Sequence, residues 1–222
     1  MDFAETEDQK MIRGIVREFA EDVAGPTCNK RDKEQIAPIE EFKKFAELGF
    51  AGMTIPEKYG GQKLDDISEA IVVEELSRVD PSLGVMIAVH VGLCSMTIAL
   101  SGNEEQKEKY LPKLASGELL GAYSLSEAGS GTDAAAMVAR ATDDGEHYTL
   151  NGEKMWVTNG TTADLFVLFA KVTDHPDYGK KSHGGVTCFI VEKGFEGFEI
   201  GKKEDKLGIR SSDTCTLMLN KC

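Results

Sequence analysis

Residues 123–133, with the sequence YSLSEAGSGTD, combine an aromatic ring, hydroxyl side chains and a glycine-rich turn. Gly129 and Gly131 let the backbone bend and approach a ligand closely, because glycine has no Cβ. Ser126, Ser130 and Thr132 supply hydroxyl donors that suit phosphate oxygens or ring heteroatoms. This pattern is typical of a site for a large phosphorylated cofactor.

A second run, NGEKMWVTNG at residues 151–160, contains the only tryptophan of the chain, Trp156, two residues before Thr158. In a strand the two side chains would point to the same face. A flat indole and a nearby hydroxyl suit a planar heterocycle, because one packs against the ring and the other fixes its edge. A core tryptophan near a hairpin is an equally good interpretation of this run alone.

Together the two runs resemble the acyl-CoA dehydrogenase family, flavoproteins that oxidise the α,β bond of an acyl-CoA thioester. The resemblance extends over essentially the whole chain, from the opening helix onwards. Its further motifs are PEKYGG at 56–61, EQKEKYLP at 105–112 and GKKEDKLGIRSS at 201–212, of which the last looks most like the short-chain, butyryl-CoA type members. The resemblance implies FAD as cofactor, an acyl-CoA substrate in fatty acid metabolism, an electron-transfer flavoprotein as acceptor, and a homo-oligomer, commonly a tetramer.

The resemblance also implies a set of cofactor-binding residues. They are Tyr123, Leu125, Ser126, Gly131, Thr132, Trp156 and Thr158. The first three would meet the flavin ring and the next two its pyrophosphate, while the indole would pack against the ring and Thr158 would donate near N5. Thr132 would also bind substrate. Where many members have proline and serine, this chain has Ala128 and Thr132, and neither difference removes a donor.

The family pattern continues past Cys222 into a C-terminal helical bundle, which carries the glutamate that removes the α proton. No residue of this chain is therefore assigned a catalytic role. We expect the chain to be part of a longer parent enzyme, with this bundle absent from the 222 residues. The alternative is a truncated, noncatalytic binding or assembly fragment.

Composition narrows the class of protein. The chain has 222 residues, of which 41% are hydrophobic, enough for a substantial core. Its 38 acidic and 25 basic residues give a net charge of -13, which repels polyanions and argues against nucleic-acid binding. The apolar run from Leu83 to Leu100 is interrupted by small and polar residues, so it predicts a buried helix and no membrane span.

The cysteines and histidines do not form a recognisable ligand pattern. Five scattered cysteines suit a reducing compartment, and four dispersed histidines lack zinc-site spacing, so we expect no metal. The N-terminus is acidic and shows no targeting peptide, so the expected location is the cytoplasm.

The pattern of elements predicts an α+β fold with two domains. Residues 1–117 read as an all-helical domain, with a capping box at residues 6–9 and another helix start at residues 103–106. Residues 118–222 read as a small antiparallel β-barrel or sandwich that contributes to flavin and acyl-CoA binding, punctuated by Asp144-Gly145, Asn151-Gly152 and Asn159-Gly160 turns.

Three features have competing interpretations. Residues 129–134 match the dinucleotide fingerprint G-x-G-x-x-A, but strands follow without the helix that a Rossmann unit requires. Glu127 is predicted to brace a turn or pair with a cation, and not to act as a catalyst. The basic cluster of Lys202, Lys203, Lys206 and Arg210 is either a charged surface or a contact to CoA or another subunit.

Overall fold

The computed structural model describes residues 4–222, and their contacts divide the chain into two units. The first unit runs from the first described residue to Leu120 and also includes residues 205–213. The second comprises residues 121–204 and 214–222. Residues 205–213, which connect the last two strands of the chain, therefore belong to the first unit.

The first unit is helical. Its α-helices are α1 (Glu7–Phe19), α2 (Gly25–Glu34), α3 (Ile39–Glu47), α4 (Asp66–Val79), α5 (Pro81–Ala88), α6 (Met96–Ser101) and α7 (Glu104–Ala115). Short π-helical segments join α1 to α2 and α5 to α6, at Ala20–Ala24 and Val89–Ser95. Two 3₁₀ turns, Phe50–Gly52 and Glu57–Tyr59, lie between α3 and α4.

Capping boxes start α1 and α7, as the sequence predicts. The Thr6 hydroxyl accepts from the Gln9 amide at 3.2 Å, and the Gln9 side chain accepts from the Thr6 amide at 3.0 Å. Asn103 and Gln106 form the same reciprocal pair, at 2.8 and 2.9 Å. Each box satisfies two amides that have no intrahelical partner, so the helix boundaries are set by local chemistry.

The predicted core helix is the continuous run Pro81–Ser101. By length and composition this helix is able to cross a membrane, yet 56% of its most apolar window is buried inside the structure. Its fully buried side chains include Leu83, Met86 and Ile87. A helix that hides its apolar face against other helices of the same chain fits the interpretation as a core helix.

His90 lies in the π-helical segment of this helix and is completely buried. Its Nε2 is 3.1 Å from the Leu114 carbonyl oxygen, and its ring packs edge-on against Phe42 with centroids 5.1 Å apart. Burial lowers the pKa of His90 from 6.5 to about 4, although the carbonyl contact opposes this shift. The imidazole is therefore neutral at physiological pH.

The depressed pKa predicts a specific pH dependence of stability. As the pH falls below 6.5, His90 of the unfolded chain binds a proton, whereas His90 of the folded chain stays neutral until about pH 4. The free energy of unfolding should fall by about 3 kcal/mol across this window on account of His90. Urea unfolding of His90→Gln should lack this part of the slope. The exposed His147→Gln variant is the control, and parallel pH curves for wild type and His90→Gln would contradict the assignment.

The second unit is a seven-stranded sheet. Its strands are β1 (Gly121–Ser124), β2 (Arg140–Asp143), β3 (Tyr148–Thr158), β4 (Leu165–Val172), β5 (Val186–Glu192), β6 (Phe198–Lys203) and β7 (Thr214–Leu219). The order is β1-β4-β2-β3-β7-β6, with β5 paired to β4. Since every α-helix described between residues 4 and 222 precedes β1, the α+β prediction is confirmed.

The prediction of a purely antiparallel sheet is wrong, because β1 and β2 both pair with β4 in parallel. β1 lies along residues 165–168 and β2 along 171–172 of the same edge of β4, while β5 covers the other edge. The two short strands act as one interrupted strand. Turn residues report only local hairpins such as β2–β3, so this long-range parallel pairing left no signal in the sequence.

One predicted turn is also wrong. Asp144-Gly145 does form the β2–β3 turn, with the Asp144 amide bonded to the His147 carbonyl at 3.1 Å. Asn151-Gly152, in contrast, lies inside β3. Gly152 has φ +149°, and a Cβ there would stand 2.8 Å from the Cα of Ala139. Glycine is therefore needed at residue 152 because β3 comes very close to the backbone of Ala139, the residue before β2.

Candidate functional site

The glycine-rich run forms an excursion between the two halves of the interrupted strand. β1 ends at Ser124 and β2 begins at Arg140, so residues 125–139 leave the edge of β4 and return to it. At the tip, the amides of Glu127 and Ser130 each bond to the carbonyl of the other, at 2.9 and 3.1 Å. The Ser130 hydroxyl then donates to the Asp133 carbonyl at 2.9 Å. The excursion is thus a defined turn.

A buried ion pair fixes the excursion to the sheet. Lys154 Nζ lies 2.7 Å from Glu127 Oε1, with the side chains 0% and 4% exposed. The Glu127 carboxylate also accepts from the amides of Val138 and Ala139 at 2.6 and 3.1 Å. The predicted role of Glu127 in bracing the loop and pairing with a cation is confirmed.

The same ammonium reaches the start of the excursion. Lys154 Nζ donates to the Leu125 carbonyl at 2.9 Å. Burial lowers the pKa of Lys154, whereas the Glu127 carboxylate acts in the opposite direction. Lys154 therefore ties the start of the excursion to β3, and Glu127, its partner, makes the contacts to the end of the excursion at Val138 and Ala139.

A β-bulge turns the tryptophan of that motif outwards. The register of β3 against β7 shifts between Lys154 and Val157, and Trp156 has φ +56°. The Trp156 side chain is 63% exposed, whereas its neighbour Val157 is 1% exposed. Thr158 is half-buried. The interpretation of Trp156 as a core residue is therefore wrong, because the bulge places the indole on the open side of the strand.

The structure brings the two motifs together at one point. The Met155 amide donates to the Ser126 carbonyl at 2.9 Å, which places the start of the excursion beside the bulge. Tyr123 is half-buried, and its ring lies 5.3 Å from that of Phe169 on β4. Burial raises the pKa of the Tyr123 phenol. Tyr123, Leu125, Ser126 and Trp156 thus belong to one neighbourhood.

Gly131 and Thr132 occupy the outer part of the excursion and are exposed. Among the described residues no hydrogen bond joins them to β3. Space for a Cβ at Gly129 and Gly131 is open, with no heavy atom within 4 Å. Packing within the chain therefore does not require glycine at either position, whereas close approach by a ligand would.

These residues fit a flavin dinucleotide by their chemistry. The exposed indole offers a flat apolar face, and the hydroxyls of Ser126, Thr132 and Thr158 have no hydrogen-bond partner within residues 4–222. The open glycine loop leaves room for a phosphate to approach backbone amides. An aromatic platform, uncommitted donors and a glycine loop are what a large phosphorylated heterocycle needs.

A cationic depression in the same unit has no recognisable pattern in the sequence. A cavity of about 570 Å³ lies between the end of the excursion and the loop before β5. Its charged and aromatic lining residues are Asp133, Arg140, Lys171, Tyr178, Lys180 and Lys181. Lys171 donates to the Ala135 carbonyl and Lys181 pairs with Asp177, whereas Arg140 and Lys180 have no ion-pair partner in the described chain. Two cations therefore remain available for an anion.

The basic cluster that the sequence did single out is largely satisfied within the chain. The Arg210 amide donates to Asp32 at 2.6 Å, and its guanidinium pairs with Asp205 at 3.0 Å. Lys206 donates to the Ser212 carbonyl at 2.5 Å. These contacts favour the interpretation of the cluster as a structural surface. No group of three or more potential metal ligands occurs in the described part of the chain, and the five cysteines are free.

Comparison with known proteins identifies the class. Residues 6–118 match the family model for the acyl-CoA dehydrogenase N-terminal domain, and residues 122–222 match that for the middle domain. The chain belongs to the acyl-CoA dehydrogenase family, which confirms the resemblance stated from the motifs. Members of this family are FAD-dependent oxidoreductases.

The similar proteins include "Acyl-CoA dehydrogenase, short-chain specific" of Clostridium acetobutylicum, 45% identical over 218 residues, which are 98% of this chain and 56% of the relative. A solved structure described as "Electron transferring flavoprotein of Acidaminococcus fermentans: Towards a mechanism of flavin-based electron bifurcation" contains a chain 45% identical, with TM-score 0.92 over 100% of this chain and 57% of that chain.

Two further solved structures are informative. Butyryl-CoA dehydrogenase from Megasphaera elsdenii is 39% identical, with TM-score 0.91 over 100% of this chain and 57% of that chain. An acyl-CoA dehydrogenase complexed with FAD, from Bacillus anthracis, is 38% identical, with TM-score 0.87 over 98% of this chain and 36% of that chain. The chain spans about half the length of the curated relatives it matches.

The buried pair predicts a strong energetic coupling. Glu127→Gln or Lys154→Met alone should each destabilise the second unit by about 3–5 kcal/mol, because each leaves a buried charge without its partner. The double variant should cost less than the sum of the two, by at least about 1 kcal/mol. Urea unfolding followed by circular dichroism measures the cycle. The exposed pair Asp177–Lys181, treated in the same way, should show a coupling of about 0–1 kcal/mol, and additivity at Glu127–Lys154 would refute the coupling.

Proposed function

We propose that the second unit binds FAD, with the isoalloxazine ring against Trp156 and the pyrophosphate at Gly131 and Thr132. The observation that carries this proposal is the exposed indole on the bulge, held beside the excursion by the Lys154–Glu127 pair. Tyr123, Leu125 and Ser126 would line the ring, and Thr158 would donate near N5. The family membership and the open glycine loop support the same placement.

The reaction proposed for the parent enzyme is α,β-dehydrogenation of a short-chain acyl-CoA to a trans-2-enoyl-CoA. When bound, FAD would supply the oxidising power as a hydride acceptor. The residues of this chain bind and orient the cofactor and the thioester. The α proton needs a base that we assign to no residue up to Cys222. Similarity to the short-chain and butyryl-CoA proteins supports this substrate class.

The cationic depression supports an acyl-CoA ligand. Arg140 and Lys180 carry charges without ion-pair partners in the described residues, and the cavity adjoins Asp133, next to Thr132. We propose that the phosphates of CoA occupy it while Thr132 meets the part of the substrate nearer the flavin. A local group of cations offsets the net charge of -13 of the chain.

Electron transfer and assembly complete the proposal. Electrons would pass to an electron-transfer flavoprotein, and the parent enzyme would be a cytoplasmic homo-oligomer, commonly a tetramer in the family. The similarity to a chain in an electron transferring flavoprotein structure supports the choice of acceptor. The second candidate is a truncated, noncatalytic binding or assembly fragment, since no residue of this chain is assigned as the base.

The flavin site is tested by loading the purified chain with FAD and adding butyryl-CoA without oxygen. We expect FAD to bind, and Trp156→Ala to weaken binding about fivefold or more, because an aromatic stacking contact contributes about 1 kcal/mol or more. Phe195→Ala, a half-exposed aromatic in the turn after β5, is the control. Bleaching would establish dehydrogenase activity in this chain, whereas bound FAD without bleaching would fit a flavin site whose base lies outside these 222 residues. Absence of FAD binding by the wild type would contradict the proposal.

The CoA site is tested by titrating butyryl-CoA into the FAD-loaded chain. Arg140→Ala and Lys180→Ala should each weaken binding about three- to tenfold and reduce its salt dependence, since each removes a charge-assisted contact. For dephospho-CoA, which lacks one phosphate, the difference in affinity between the wild type and these variants should be smaller. Lys193→Ala, an exposed lysine elsewhere on the unit, serves as the control. Equal affinities in all four proteins would place the phosphates elsewhere.

A further inference from the structure

Lys154 faces the proposed flavin loop from its inner side. The ammonium is completely buried and donates to the Leu125 carbonyl at 2.9 Å and to Glu127 Oε1 at 2.7 Å. A buried lysine is costly unless its charge is paired and hydrogen-bonded. Stability alone does not require an ion pair here, since apolar residues of the same volume often serve as well.

The bond to Leu125 determines which way one peptide group points. The peptide between Leu125 and Ser126 is trans, so its C=O and N–H point in opposite directions. Because the carbonyl points inwards to Lys154 Nζ, the Ser126 N–H points away from the buried ammonium. Ser126 lies between β1 and the turn at Glu127, and its N–H has no acceptor among residues 4–222. It is therefore an available donor within the flavin neighbourhood.

The ion pair is arranged as a dipole directed at this peptide. The negative end, the Glu127 carboxylate, is stabilised on its far side by the amides of Val138 and Ala139. The positive end touches the Leu125 oxygen. A cation bonded to a carbonyl withdraws electron density through the peptide, which strengthens the N–H of the same group as a donor.

We propose that Lys154 is a positioning residue for the flavin, which acts through the Leu125–Ser126 peptide to hold and polarise the Ser126 N–H, with Glu127 fixing the ammonium. This inference rests on the proposed binding of FAD. A preorganised donor stabilises the form of a ligand that carries more negative charge. The pair therefore favours reduced over oxidised flavin and raises the reduction potential of the bound cofactor.

The test uses the full chain and the neutral double variant Glu127→Gln/Lys154→Met, which removes both charges at nearly constant volume. The ratio of affinities for reduced and oxidised FAD should fall at least tenfold, a shift of about 30 mV to a more negative two-electron potential. In the flavin-free protein, the carbonyl carbon of Leu125 should change its NMR shift as the charged hydrogen bond is lost. Lys193→Met, which removes a surface lysine bonded to a backbone carbonyl, should change neither quantity.

A second variant separates charge from hydrogen bonding and covers poor folding of the first. Glu127→Gln/Lys154→Gln provides a neutral donor at residue 154, and it should keep the more negative potential. Equal potentials in wild type and either folded double variant would overturn the role of Lys154 while leaving FAD binding intact. Failure of the wild type to bind FAD would overturn the proposed function and this inference with it.

Discussion

The buried pair of Lys154 and Glu127 is the interaction on which the arrangement of the second unit depends. It joins residues that are 27 apart in the sequence and connects β3 to both ends of the excursion. A buried ion pair is stable only when its remaining donors and acceptors are also hydrogen-bonded. Here backbone amides bond the carboxylate and a backbone carbonyl bonds the ammonium. This ion pair holds the exposed Trp156 and the glycine loop near one another.

The excursion itself follows from the topology of the sheet. β1 and β2 share one edge of β4, so the chain between them is free to leave the sheet and return in register. A loop anchored at both ends by parallel strands is well positioned but open at its tip, where a Cβ at Gly129 or Gly131 would meet no heavy atom within 4 Å. Rigid anchoring and an open tip together suit a residue set that binds a ligand.

Local chemistry made much of the helical unit predictable, whereas long-range contacts did not. Each capping box, at Thr6 and at Asn103, is defined by four consecutive residues, and a helix starts at each. The polar helix α2 gave no apolar pattern, because its single buried side chain is Arg31, paired with Glu41 and Asp80. Its helical state continues from α1 through a π-helical segment into Gly25-Pro26, a dipeptide that usually marks a turn.

The site shows the same division. The two motifs pointed to the residues of the proposed flavin site because hydroxyls, glycines and the single tryptophan are conspicuous by type. The parallel pairing and the β-bulge at Trp156 are relations between distant strands and left no local signal. The cationic depression was missed because Arg140, Lys171 and Lys180 come from two strands and a loop. Single lysines and arginines in separate segments look like ordinary surface charges.

Hydrogen exchange of the chain with and without FAD tests the central claim most directly, because it reports protection at each amide. The account predicts that FAD slows exchange in residues 125–132 and 155–158 and leaves α1 and α4 unchanged. If FAD left exchange unchanged in both segments and protected only residues outside them, the flavin site would not lie at the excursion and the bulge.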